Sequence, residues 1–74
     1  MSTLAEQMQE VVGYIESTIE TYRDNTSVDV HWQTCQDTAR EYHLWEPMTG
    51  GREGFPLWLS FVVAGICREK GIQT

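Results

Sequence analysis

The chain has 74 residues, with eleven carboxylates against five basic side chains and a formal net charge of −6. That length holds one domain, and a domain so small buries only roughly 60–65% of its unfolded surface, which leaves it marginally stable without a disulfide framework, a metal or a partner. The acidity argues against direct binding to nucleic acid or to an anionic membrane, because phosphate is repelled, and it favours a protein with a basic surface.

Charge is unevenly placed. Residues 1–46 hold nine acids against Arg23 and Arg40, net −7, and residues 47–74 hold Glu53 and Glu69 against Arg52, Arg68 and Lys70, net +1. The opening "MSTLAEQMQE" has neither a basic region nor an apolar run, so no export signal is expected there. Two cysteines, Cys35 and Cys67, cannot make a disulfide scaffold. The expected setting is the cytoplasm, with both thiols free.

Residues 3–23 read as an amphipathic helix. Leu4, Met8, Val11, Val12, Ile15, Ile19 and Tyr22 recur at the spacing of one apolar stripe, and Glu6, Glu10, Glu16, Glu20 and Asp24 fall together on the opposite side. Ser2 or Thr3 suits the N-cap, and Glu6 completes a capping box with Thr3. "RDNT" should end the helix, since Asp24 and Asn25 favour turns.

A second helix is expected over about 28–45. Val28, Trp32, Cys35, Ala39 and Tyr42 share one side, Thr26 or Ser27 serves as cap, and Pro47 forces the end. The rival is a short strand in residues 27–32, where Val28, Val30 and Trp32 alternate with polar residues. Residues 46–55, with Gly50, Gly51 and Gly54, read as a loop that also carries Met48 and Phe55. A third helix follows over about 56–70, with Pro56 in its first position and Gly71 as its stop. The fold class is therefore all-α, a small three-helix domain.

The third helix is the unusual element. Leu57, Phe61 and Ala64 lie on one side, and Leu59, Val62, Val63 and Ile66 on the other, with Trp58 between. A helix apolar all round must be covered all round. Three covers are open: a central position in the domain, a second copy in a homodimer, or a different protein. Trp58, Leu59, Val62, Val63 and Ile66 are the residues expected at such an interface, and three tryptophans in so short a chain favour one. The apolar run from Phe55 to Cys67 is too short for a membrane span, which takes about 20 residues.

Signals for chemistry are weak. His31 and Cys35 stand one helical turn apart in chelating geometry, but the paired-Cys spacing of zinc modules is absent. A cysteine in an apolar stripe is normally an inert core residue. "TGGREG" lacks the Gly-Lys-Ser/Thr ending of a phosphate loop. No cofactor and no catalytic residue is expected. The acidic row Glu6, Glu10, Glu16, Glu20 and Asp24, about 27 Å long at 1.5 Å per residue, suits steering onto a basic groove.

The expectation is a non-enzymatic, acidic interaction protein that inhibits or modulates a partner complex by occluding it. The phage-like inhibitors that mobile elements encode against nucleic-acid-handling machinery, acting in the host cytoplasm, are the pattern that size and acidity suggest. A self-associating assembly protein and a zinc-stabilised module built on His31 and Cys35 are the alternatives.

Overall fold

The structure, a computed structural model, describes residues 3–46 and 51–72, the Arg52 side chain excepted. Pro47, Met48 and Gly50, and the alternative cap Ser2, lie outside the described residues. Three α-helices are present, α1 (Leu4–Tyr22), α2 (Val30–Glu41) and α3 (Leu57–Glu69), with a 3-10 turn at Arg52–Gly54 before α3. There is no strand among the described residues, and the 27–32 segment is a turn leading into a helix.

Local chemistry sets each boundary. At the start of α1 the Thr3 hydroxyl accepts the Glu6 backbone N–H at 3.1 Å. The Glu6 carboxylate in turn accepts from that hydroxyl at 3.3 Å, where a capping box has it reach the backbone. The helix ends at the expected "RDNT", where Asn25 Oδ1 accepts the Ser27 N–H at 3.0 Å.

The second helix is shorter at both ends than its expected 28–45. Asp29 is the N-cap instead of Thr26 or Ser27, its Oδ1 accepting the Trp32 N–H at 3.1 Å. A carboxylate satisfies the orphan N–H and also complements the positive end of the helix dipole, which a hydroxyl does not. At the other end the chain turns before any proline. His43 adopts φ 55°, and the Leu44 N–H reaches back to the Ala39 carbonyl at 2.8 Å while the His43 N–H bonds Arg40 at 3.2 Å. That pair of bonds is a Schellman motif, with a histidine in the left-handed position that glycine normally takes.

The third helix repeats the motif with the usual residue. Gly71 has φ 77°, and Ile72 N–H bonds the Cys67 carbonyl at 2.9 Å. Pro56 is the N-cap of α3, one place before the first helical position expected for it.

The fully buried apolar residues are Ile15 and Ile19 from α1, Cys35 and Ala39 from α2, and Leu59, Val63 and Cys67 from α3. One side of each helix thus supplies the core. The extents, 37 × 29 × 17 Å, describe a flat body. Two helical layers at the usual 8–10 Å spacing account for the short dimension. Among the described residues no third layer covers the far side of α3.

Candidate docking surface

The acidic row is exposed along its length, but it is not uniformly free. Lys70, at the end of α3, reaches Glu20 at 3.2 Å and Glu16 at 3.9 Å, and Arg23 pairs with Glu20 at 2.7 Å. The Lys70 hydrogen bond and the nearby cations hold the Glu20 carboxyl below the usual carboxylate range. Among the described residues no ion pair engages Glu6, Glu10 or Asp24. Asp24 lies in the turn after α1. The uncompensated charge on α1 itself therefore sits toward its N-terminal half, at Glu6 and Glu10.

That half also carries exposed apolar side chains. Leu4 is 75% exposed, Met8 43%, Leu44 39% and Trp58 47%. These four, with Val11 and Tyr42, line one cleft of about 310 Å³ whose wall includes Glu10 and Gln7. Helix lengths explain it. α1 has 19 residues and α2 only 12, a difference of about 10 Å at 1.5 Å per residue. The Tyr42 hydroxyl, just past α2, already meets the Glu10 carbonyl at 3.3 Å. The first turns of α1 overhang the end of α2.

The face of α3 expected to meet a partner is mostly its core face. Leu59 and Val63 are fully buried, and Val62 and Ile66 pack partly buried against the core; of the expected set only Trp58 is exposed. The uncovered side is the opposite one, where Leu57 and Phe61 are each 71% exposed. Periodicity separates two sides of a helix, but it does not say which one the neighbours choose.

The other two tryptophans serve the fold. Trp32, Trp45 and Phe55 form a triangle with ring centroids 5.1–5.9 Å apart. The Trp45 indole N–H donates to the Gly51 carbonyl at 2.6 Å, which ties the segment after α2 to the turn before α3. Along the opposite edge of α2, Tyr14 stacks edge-on against Tyr42, and the Tyr22 hydroxyl donates to Asp37 at 2.7 Å. Burial raises the Tyr14 hydroxyl pKa, and the hydrogen bond to Asp37 raises that of Tyr22.

His31 and Cys35 are adjacent, as a four-residue spacing on a helix requires, with Nε2 3.8 Å from the Cys35 sulfur. The same Nε2 is 3.1 Å from the Ser60 carbonyl. A carbonyl only accepts, so the Ser60 contact is a hydrogen bond in the tautomer that carries the proton on Nε2. Among the described residues no group of three or more possible metal ligands occurs. Burial pushes the Cys35 thiol up to about 12 and also raises Cys67, so neither is an available thiolate nucleophile near neutral pH.

The sequence reading placed Leu4 and Met8 in a buried stripe, counted Leu57 and Phe61 outside the interface set, and passed over Leu44. No signal for the cleft was visible, because the second helix was expected to run to residue 45 and so to match the first in length. No helix among the described residues is long and apolar enough to cross a membrane. No protein-family model, curated protein or solved structure matches this chain.

Proposed function

We propose that this chain is a non-enzymatic interaction protein that docks on, and thereby inhibits or modulates, a partner complex presenting a basic surface. The observation that carries this reading is the convergence of Leu4, Met8, Leu44 and Trp58, from three separate parts of the chain, on one apolar cleft beside Glu10. An apolar pocket supplies the anchor, and the neighbouring carboxylates supply approach and orientation. A machine that handles nucleic acid offers the matching chemistry, a basic groove. A small acidic chain, of the type mobile elements encode, blocks such a groove by lying in it within the host cytoplasm.

The test is retention of host-extract proteins on the immobilised chain, followed by assay of whatever complex is retained. The wild type should hold a complex whose activity falls on addition of the free chain. Met8→Asp and the double variant Glu6→Gln, Glu10→Gln, which removes both charges and keeps a capping side chain at position 6, should release it without altering the melting curve. Retention should also weaken steeply as salt rises from about 0.05 to 0.3 M, because exposed charges are then screened. Retention indifferent to all three changes would contradict the reading.

A further inference from the structure

We propose that the Lys70 ammonium is a built-in competitor on the acidic row, an autoinhibitory contact that closes the Glu16–Glu20 half of α1 to basic partners and leaves docking to the Glu6–Glu10 half. The inference rests on the reading of α1 as an electrostatic docking face, and it names the residue that regulates that face.

Helical spacing puts the four carboxylates of α1 on one face, and the end of α3 divides them. Glu16 and Glu20 stand one turn apart, and the Lys70 ammonium reaches both, at 3.9 Å and 3.2 Å. Arg23 brings a second cation to Glu20 at 2.7 Å. Two carboxylates against two cations sum to zero in this half. Glu6 and Glu10 enter no ion pair among the described residues, which leaves a charge of −2 in the other half. The face is thus polarised by its own counter-ions.

Lys70 is fixed at both of its ends. Its backbone N–H bonds the Ile66 and Cys67 carbonyls, and its own carbonyl accepts from Arg23 Nη2 at 3.2 Å. Gly71, with φ 77°, stops the helix directly after it. The Lys70 side chain is mostly covered, while the carboxylates that it holds are half-exposed. A partner can therefore reach Glu16 and Glu20, but it meets a cation that folding has already ordered. The arriving side chain pays its own ordering entropy in full, and Lys70 does not. A mere strut between α1 and α3 would lower stability when cut and would leave affinity unchanged. An internal competitor gives the opposite result, because cutting it strengthens binding. Exposed ion pairs are each worth a factor of up to about five, so the gain should be about two- to tenfold.

Calorimetric titration with an oligolysine peptide tests it, at about 0.1 M salt, where screening beyond about 10 Å leaves only local charge to act. Lys70→Gln should bind the peptide about two- to tenfold more tightly than wild type. Arg68→Gln removes the same single charge roughly 160° around the α3 wheel, at 100° per residue, and should bind like wild type. Adding Glu16→Gln and Glu20→Gln to Lys70→Gln should abolish the gain. Lys70→Gln binding no more tightly than Arg68→Gln overturns the proposal, and so does a gain that survives the loss of both carboxylates. The docking reading fails separately, if Glu6→Gln with Glu10→Gln leaves peptide binding by the otherwise wild-type chain unchanged. A chain that binds no peptide with or without Lys70 overturns both.

Discussion

Thr34 and Thr38 are fully buried on α2, and neither hydroxyl has a hydrogen-bond partner among the described residues. A helical threonine normally satisfies its hydroxyl on the carbonyl one turn back, as Thr18 does on Tyr14 at 2.8 Å. Leaving a buried hydroxyl unpaired costs about 1–3 kcal/mol, and a methyl in its place removes that cost at nearly the same shape. Thr34→Val and Thr38→Val should therefore each stabilise the fold by about 1 kcal/mol. Urea unfolding reads this as a higher midpoint at unchanged slope; a lower midpoint for both would contradict it. Cys35 sets an alkaline limit. Its thiol, pushed by burial from 9.0 up to about 12, keeps its proton in the folded chain after the unfolded chain has lost it. Its contribution is complete below pH 9 and is lost as pH rises toward 12. Stability should fall across that window, less steeply in Cys35→Ala. The residual slope belongs to Cys67, Tyr14 and Tyr42, which burial also raises, and to Tyr22, raised by its hydrogen bond to Asp37. An unchanged slope in the variant would exclude the thiol as a cause. The inward position of Cys35 was legible from its place in an apolar stripe. Thr34 and Thr38 were not, because a binary apolar–polar pattern files threonine with the surface.

At the scale of elements, all three helices were legible as periodicity, while their ends depended on individual capping contacts. α2 starts at Asp29 because a carboxylate caps better there than the hydroxyls before it, and it ends at a Schellman motif closed by His43 and not at Pro47. Composition does not announce a histidine with positive φ. The two Schellman motifs make a matched pair of tests. His43 carries the steric penalty of the left-handed conformation, roughly 1–2 kcal/mol for a residue with a Cβ. His43→Gly should recover about 1 kcal/mol of it, and Gly71→Ala should lose a similar amount. Thermal melts of the two variants should shift in opposite directions by about 4–8 °C. Shifts of the same sign would show that side-chain contacts, and not backbone conformation, govern these ends. The Trp32–Trp45–Phe55 triangle was not legible at all. It joins residues up to 23 apart through a loop whose path no local pattern encodes.

For the molecule as a whole, the sequence carried one strong message, that the third helix is apolar on more sides than two neighbours can cover. The structure divides that surface. Leu59, Val63 and Cys67 go to the core, and Leu57 and Phe61 face out of a body only 17 Å thick. The division was not legible, because both sides of α3 are equally apolar and the choice depends on which side α1 and α2 fit. Four members of the acidic row, Glu6, Glu10, Glu16 and Glu20, were legible as a helical face, while Asp24 falls in the turn after α1. The partial neutralisation of the row by Lys70 was not, since that contact spans 50 residues of chain.

The central claim is this division of α3 into a core side and an exposed side, and a comparison of Val63→Asp with Phe61→Asp tests it most directly. Both substitutions place the same carboxylate on the same helix, half a turn apart. Val63→Asp buries a charge without a partner, at a cost of several kcal/mol that matches the whole stability of a domain this small. It should abolish the cooperative melt followed by circular dichroism. Phe61→Asp should leave the melting temperature of the dilute, single-chain protein within a few degrees of wild type. If both variants unfold, or if Val63→Asp melts like the wild type, α3 is not divided in this way and the exposed side has been assigned to the wrong residues.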